Sequence, residues 1–436
     1  MLISIITPTH NSKWLSDTWK SIKDQETNWE WIIFCNGPDA DTHARIARDL
    51  VQEHPSVHVY SQMITGGIGA VKAAAFRKAH GDLLLELDHD DLLTDNALQV
   101  LTEAAQSNPD CGFFYSASAN FSDSEGPLLQ GTDHTYMAPG ARASWEANGW
   151  RFKKTSVQSR ARPGQYWYPE SFDASAASLH SLLWSPNHLR AWRSVTYAAL
   201  GGHNALYSIA DDHELLIRTF LTTKMHSIRE VLYLYRCSGE NSWAARAGEV
   251  AEISGKLGAE YLEAMILREA ALHKLPAYDL GCGKHPRAGW TGVDKNPDNA
   301  PQVQADLMQP WPFADSSVFA FRASDLIEHL PNKQFTMSEI HRCLVPGGWL
   351  LSLTPSTDGR GAFQDPTHVS FWNENSFWYY TRAVQAAYIN SEVKFAASSL
   401  YTHFPNLWHK EHNIAYVTAH LIALKPGYLG PIPQSA

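Results

Sequence analysis

The chain has no apolar run approaching the ~20 residues that cross a bilayer, so a membrane-spanning reading is set aside. Its five cysteines, Cys35, Cys111, Cys237, Cys282 and Cys343, are scattered and form no CxxC pair. That removes a disulfide framework and leaves reduced thiols as the default. Positive charge is in deficit: 35 Lys and Arg against 45 Asp and Glu give a net charge of −10. A uniformly basic nucleic-acid binder is excluded, whereas a local basic patch is not. The first segment, MLISIITPTH, has neither the basic n-region nor the apolar length of a signal peptide. The expectation is a cytoplasmic protein, in a bacterial cell or a phage-infected host.

What is present is 436 residues with 44% hydrophobic content, too long for one ordinary core and suited to two domains or three. Strand and helix patterns alternate. ISIITP, WEWIIFCNG, VHVY and LLLEL read as strands, and SKWLSDTWKSIKDQ sets Leu15, Trp19 and Ile22 on one helical face. This is an α/β pattern with a mainly parallel sheet. Ligands of such sheets bind beyond the carboxyl ends of the strands, where Thr7 to Asn11, Asn36 and Asp88 to Asp91 fall.

The stretch LLLELDHDDLL ends a buried run in Asp88, His89, Asp90 and Asp91. Neighbouring carboxylates repel one another and resist desolvation, so a positive group belongs beside them. A hard divalent cation, Mg²⁺ or Mn²⁺ carrying a diphosphate, meets that need. The plainer alternative is a helix cap, with Asp90 or Asp91 starting a helix over LLTDNALQVLTEAAQ.

Five pieces in order make the first 120 residues resemble glycosyltransferase family 2: SIITPTHN (4–11), SIKDQ (21–25), IIFCNG (32–37), GIGAVKAAAFRKAHGD (67–82) and LELDHDD (85–91). The resemblance implies an A-type glycosyltransferase fold and a nucleotide-sugar donor, with a UDP-sugar as the first expectation. It places Pro8, Thr9 and Asn11 at the nucleoside, Asn36 at the base, Lys72 near the nucleotide, Asp88 near the ribose or metal, and Asp90 on the metal. Where the family often has an acidic pair, this chain has Cys35 and Asn36. Where it often supplies a metal-binding histidine, YRCSGENSW has Ser238. GGHNALYSIADDHELLIR (201–218) resembles the family's second motif, and the match makes Asp212 the acceptor base with Asp211 beside it. Adjacent carboxylates raise one another's pKa, which suits a base near neutrality. The competing reading is a helix N-terminus rich in Asp.

Residues 140–200 carry eight Lys and Arg against three acids, interleaved with Trp145, Trp150, Phe152, Tyr166, Trp167 and Tyr168. Sugars and nucleobases both stack on such rings, and the cations lean toward a polyanion, DNA included. A solvated loop with its own aromatic core is the bland reading of the same composition.

From Val250 a helical stripe of Val250, Ile253, Leu257 and Tyr261 leads to a strand ending in YDLGCGKHP (278–286) and a second strand ending in WTGVDKNP, with Asp294 placed for ribose hydroxyls. With QADLMQPWPFADSSVFAFRASDLIEHL and EIHRCLVPGGWLLSLTPS, residues 275–425 resemble a class I S-adenosylmethionine-dependent methyltransferase of the broad type 11 group. The resemblance puts Asp279, Gly281 and Gly283 at the methionine end, Asp294 at the ribose and Asp306 by the adenine. Glu328 and His329 are expected at the end of the fourth strand. His329 and His368 are the candidate bases. No N-P-P-Y signature and no Pro-Cys nucleophile follow, so an oxygen, on a sugar, fits as the methylated atom.

The expected architecture is two doubly wound α/β sheets: a glycosyltransferase domain over 1–250, a linker helix over 251–274 and a Rossmann-like methyltransferase domain over 275–436. The expected function is metal-dependent inverting transfer of a sugar to a glycan or surface polymer, followed by O-methylation of that sugar. Two alternatives stand beside it: 5-hydroxymethyl pyrimidines of hypermodified DNA as acceptor, and one domain surviving as a non-catalytic scaffold.

Overall fold

A computed structural model describes residues 1–123, 126–127, 145–182, 185–237 and 246–433. The chain divides into two compact units, Met1–Leu262 and Glu263–Ala436, and the division falls within the helix Ala247–His273. Ser238 and Arg142 lie outside the described residues.

The first unit opens with β1 (Ile3–Thr9), β2 (Trp29–Cys35), β3 (Val57–Ser61) and β4 (Leu83–Glu86), which lie parallel in the order β3-β2-β1-β4. Every residue of β2 is buried, as the uninterrupted apolar run of a covered parallel strand requires. Helices Leu15–Ile22, Ala40–Val51 and Ala97–Ser107 cover one face. They do so through Leu15 and Ile22, two turns apart, and through Ala40, Ala44, Ala47 and Val51 and Leu98 and Leu101, spaced three or four apart. The sheet then continues through β5 (Leu92–Leu93), β6 (Cys111–Ser122), β10 (Arg190–Arg193) and β11 (Lys224–Arg236), with β10 antiparallel between β4 and β6. The chain leaves β1 toward β3 and returns on its other side at β4. The strand order therefore reverses between β1 and β4, and a crevice opens at their carboxyl ends.

One local expectation changes. Leu92 and Leu93 pair with Leu234 and Tyr233 of β11, and the helix begins only at Ala97, after Asn96. Asp90 and Asp91 therefore cap no helix. Two leucines flanked by acids offer the same apolar content to a strand edge as to a helix, and the partner strand 140 residues downstream decides.

The basic aromatic segment folds largely as its own small core. Phe152–Val157 (β8) and Gly164–Pro169 (β9) form a two-stranded hairpin, with Tyr166, Tyr168 and Val157 buried against Phe121 and Leu234. Trp150 packs between Trp145 and Phe172. Arg151 and Lys153 both pair with Glu170, at 3.3 and 2.5 Å. Arg162 pairs with Asp123 at 2.8 Å, and Arg193 donates to the carbonyls of Cys111 and Ala105.

The second unit is a sheet in the order β14-β13-β12-β15-β16-β18-β17: Val303–Gln304, Thr291–Asp294, Ala277–Leu280, Val318–Ser324, Leu344–Pro355, Tyr416–Ala423 and Phe395–His403. The first five are parallel, and β18 runs antiparallel between β16 and β17. The order reverses between β12 and β15, and a second crevice opens there. Among the described residues no helix is long and apolar enough to cross a membrane.

Candidate functional site

The first crevice is organised by Lys72. Gly69, one turn before it, has no room for a side chain: a Cβ there would lie 2.3 Å from the carbonyl oxygen of Asn204. That close approach seats the helix Ile68–Phe76 against the segment leading to Asp211. Lys72 is then buried, with its ammonium 2.5 Å from Glu86 and 3.9 Å from Asp211. Burial disfavours the charged amine, but Asp211, Glu86, Asp88 and Asp212 together outweigh burial and raise its pKa. The lysine expected near the nucleotide thus joins the two motifs from within.

Asp211 and Asp212 open the helix Asp211–Thr222, which follows the left-handed pair Gly201 and Gly202 and a left-handed Ala210. Their environments diverge. Asp211, with its side chain 4% exposed, faces Lys72 and the Nε2 of His203 at 3.7 Å. Burial, opposed by Lys72 and reinforced by Asp212 and Glu86, pushes its carboxyl up to about 7. Asp212 is 31% exposed and accepts from Arg190 Nη1 at 2.7 Å. Burial would raise it, but Arg190 and Lys72 prevail and hold it well below the usual carboxylate range. Arg190 is itself buried in β10, 4.0 Å from Glu86.

At the end of β4, burial pushes Asp88 up to about 6, with Lys72 opposing and Glu86 and Asp90 reinforcing. Asp91 is a different case. It is buried and accepts from the Tyr233 hydroxyl and the Arg236 backbone N–H, both at 2.7 Å, so it fastens the loop. The Arg236 guanidinium donates to the carbonyl of Asp90 at 2.6 Å and to Asp123 and Asp17. At the ends of β1 and β2, Thr9 donates to the Asn11 carbonyl at 2.5 Å, and Asn36 N–H donates to the Thr9 carbonyl at 2.8 Å. The Asn36 side-chain oxygen accepts from Ile64 N–H at 2.7 Å. Pro8 lies half-buried in the same strand end. Pro8, Thr9, Asn11, Asn36, Asp88 and Asp90 thus share the carboxyl edge of one sheet, and Lys72, Asp211 and Asp212 approach it from the helical side.

Sequence reading passed over Glu86, Arg190, His203, Tyr233 and Arg236. Glu86 carried a usable signal, since an acid inside a leucine strand must find a buried cation. Arg190 and Arg236 carried none, because each sits in a strand whose position in the sheet only the fold reveals.

In the second crevice Gly281 and Gly283 adopt φ of +64° and +55°, a left-handed backbone that glycine takes without strain. Asp279 is buried and committed to Arg287 N–H at 2.9 Å and Arg322 Nη1 at 2.8 Å. Asp294 accepts from Gly283 N–H at 2.9 Å and Asn296 N–H at 2.8 Å, which ties the ends of β12 and β13 together. Asp306 is exposed and accepts from Met308 N–H at 3.0 Å. Glu328 and His329 come four residues after β15 has ended, in the 3-10 turn Ile327–His329. His368 stands beside them, with its ring 4.9 Å from that of His329.

Residues 4–160 match the model of glycosyl transferase family 2, and residues 233–389 match a methyltransferase domain model. The chain carries a family 2 glycosyltransferase domain and a methyltransferase domain. O-antigen biosynthesis protein RfbC of Myxococcus xanthus is 24% identical over 62% of this chain and 18% of its own length. The uncharacterized glycosyltransferase EpsJ of Bacillus subtilis is 28% identical over 27% of this chain and 35% of its own. The chain thus spans well under two thirds of these curated relatives. Among solved structures, S. aureus TarS 1-349 in complex with UDP-GlcNAc aligns over 62% of this chain and 73% of its own, at 12% identity and a TM-score of 0.40.

Proposed function

We propose that the glycosyltransferase domain moves a sugar from a nucleotide donor to a hydroxyl of a glycan or surface polymer, with inversion, and that the methyltransferase domain then methylates an oxygen of that sugar. One observation carries the first half: Glu86, Asp88, Asp211 and Asp212, drawn from two motifs more than a hundred residues apart, surround the single ammonium of Lys72. Asp212 is the base. Its claim rests on exposure, since it alone of the motif pair is substantially exposed to an acceptor; Arg190 keeps it ionised, and the raised carboxyl expected of a base near neutrality falls on Asp211 instead. Asp88 and Asp90 would supply hard oxygen donors, and the upward shift of Asp88, from burial first and then from Glu86 and Asp90, is a cost that a bound cation would offset. Mg²⁺ or Mn²⁺ held there would offset the charge of the departing diphosphate. Thr9, Asn11 and Asn36, tied together by the Thr9 hydroxyl on the Asn11 carbonyl and by Asn36 N–H on the Thr9 carbonyl, would form the floor for the nucleoside.

In the second domain the left-handed glycine turn and the Asp294 carboxylate shape a cradle that fits S-adenosylmethionine, which supplies the methyl group. Gly281 and Gly283 would admit the methionine end of that cofactor and Asp294 would face its ribose, and the bound cofactor would supply an electrophilic methyl group to an acceptor hydroxyl.

The test incubates the full chain with a panel of nucleotide sugars and with glycan or hydroxymethylated-DNA acceptors, then weighs the products by mass spectrometry. A hexose-sized gain on a glycan, followed by a methyl-sized gain when S-adenosylmethionine is added, is expected. Asp90→Asn should abolish the first gain and preserve binding of the methyl donor. Full turnover of Asp90→Asn in chelator would end the metal-dependent reading, and a calorimetric titration with no heat from the methyl donor would leave that domain a scaffold.

A further inference from the structure

Glu328, His329 and His368 are, among the described residues, the group whose side-chain donor atoms all fall within 4.8 Å of one another. The acidic run at 88–91 does not gather such a triad. Three features of the cluster point to a ligand.

Glu328 is 2% exposed. Its Oε2 accepts from the Thr354 hydroxyl at 2.6 Å, which fixes the rotamer, and its Oε1 is buried with no hydrogen-bond partner. A buried carboxylate oxygen left without a donor is unfavourable, and an ion is one of the groups that explain such an atom. The two imidazoles are oriented in the same sense. His368 Nδ1 lies 3.0 Å from the carbonyl oxygen of Ala362, and His329 Nδ1 lies 3.1 Å from the carbonyl oxygen of Thr367. The Thr367 hydroxyl, also 3.1 Å from His329 Nδ1, gives its proton to Asp365 at 2.7 Å and so accepts as well. A carbonyl only accepts, so each Nδ1 carries a proton and, in the neutral ring, each Nε2 presents a lone pair. That pairing of a backbone acceptor on one nitrogen with a bare lone pair on the other is how proteins orient histidines toward metals. Asp365 stands 4.0 Å from His368 Nε2, too far for a hydrogen bond and near enough to add negative charge. The backbone is held as firmly: Val369 N–H and Ser370 N–H both donate to the Glu328 carbonyl at 2.9 Å, locking the His368 segment to the turn. Beside it Phe363 and Phe371, 61% and 42% exposed, stack with centroids 5.2 Å apart and offer an apolar platform at the rim.

We propose that Glu328, His329 and His368 form a site for a divalent transition-metal cation whose open positions chelate two neighbouring oxygens of a polyol acceptor, the sugar ring resting on Phe363 and Phe371. Two imidazoles and one carboxylate suit Mn²⁺, Co²⁺ or Zn²⁺ better than Mg²⁺, and three protein ligands leave room for exchangeable oxygens. Sugars present vicinal hydroxyls and apolar ring faces together, which matches chelating positions next to exposed aromatic rings. The two histidines are then ligands and not general bases, since a coordinated Nε2 has no lone pair to give. The acceptor class rests on the reading of this domain as an O-methyltransferase; the cation site does not.

The test loads the full-length protein with Mn²⁺ and records pulsed electron paramagnetic resonance. Nitrogen-14 couplings from coordinated imidazole are expected, because Asp88 and Asp90 in the other domain offer oxygen alone. The couplings should fall to those of one imidazole in His329→Ala and in His368→Ala, vanish in the double variant His329→Ala/His368→Ala, and persist in Asp90→Asn. By calorimetry, Glu328→Gln, which keeps an oxygen for Thr354, should weaken Mn²⁺ binding at this site by at least about 100-fold. Thermal unfolding and binding of S-adenosylhomocysteine show in parallel that each variant is folded. Absence of nitrogen coupling in the wild type, or its survival in the double histidine variant, overturns the site. Nitrogen coupling with no S-adenosylhomocysteine binding would sustain the cation and refute the methyltransferase reading instead.

Discussion

Lys72→Met isolates the charge balance on which the first crevice depends. Glu86 is fully buried, and both of its oxygens lack a conventional hydrogen bond, so its ionised state rests on Lys72 at 2.5 Å and on Arg190 at 4.0 Å. At an effective dielectric of about 20, a unit pair 2.5 Å apart gains about 6–7 kcal/mol before desolvation is charged against it. Desolvation consumes much of that gain. Removing one partner still leaves an uncompensated buried charge, and the expected loss is about 3–5 kcal/mol. For a unit of this size that lowers the melting temperature by roughly 6–20 °C. The loss carries a pH signature. In the wild type burial pushes Glu86 up but Lys72 prevails, and the depressed pKa contributes stability above the ordinary glutamate value of about 4.3, lost as pH falls through the folded value. In Lys72→Met burial dominates, the folded pKa rises, and the native state binds the extra proton. The variant's deficit should therefore shrink on acidification toward pH 4. Lys72→Met/Glu86→Gln removes both charges and should recover most of the loss. The assay is differential scanning calorimetry of the full chain from pH 4 to 8, following the transition of the first unit. A loss below about 1 kcal/mol, or a double variant no better than the single, would refute the argument.

Asp212→Asn should lower turnover by roughly 10²–10⁴ and leave the donor dissociation constant unchanged; turnover near wild type would transfer the base role elsewhere. Asp211 has its folded pKa raised to about 7, so the native state binds more protons than the unfolded chain and stability falls as pH rises from about 4 toward 7. Asp211→Asn should flatten that decline in denaturant titrations, and an unchanged slope would place the burial penalty on another group. Replacing Arg151, Lys153 and Lys154 together with alanine should hardly alter the salt dependence of acceptor KM, because Arg151 and Lys153 are already paired with Glu170. A steep log–log slope in the wild type that flattens by up to about three units in the triple variant would restore the DNA acceptor.

How much of this was legible in the sequence divides along the range of the interactions. Strand ends, the Gly-rich segment before Lys72 and the acidic pair at 211–212 are local patterns, and each falls at the edge of its sheet. The four-strand start of the first unit and the succession of β12 and β13 follow from apolar runs of the right length. Non-local pairing is where reading stops. Leu92 and Leu93 became a strand because β11 passes beside them, and no local propensity announces that.

The basic aromatic segment shows the same limit acting on charge. Counted along the chain, its cations exceed its acids and suggest an outward-facing electropositive surface. In three dimensions the counter-charges come from other places: Asp123 meets Arg162, Asp24 meets Arg160 at 3.4 Å, and Asp212 meets Arg190. Net charge over a window is a property of the window, whereas the field at a surface depends on what has been neutralised beneath it. Burial of Tyr166, Tyr168 and Trp150 follows the same logic, since rings that could stack on a ligand were needed first to build a core beneath the hairpin. The acidic crevice runs in the opposite direction. There the sequence shows only repulsion among carboxylates, and the fold supplies Lys72 and Arg190 from a helix and a strand on either side of β4. Those two cations stabilise the buried acids, Glu86 foremost, while Asp88 and Asp90 stand at the carboxyl edge of the sheet, where the proposed metal ion would be held.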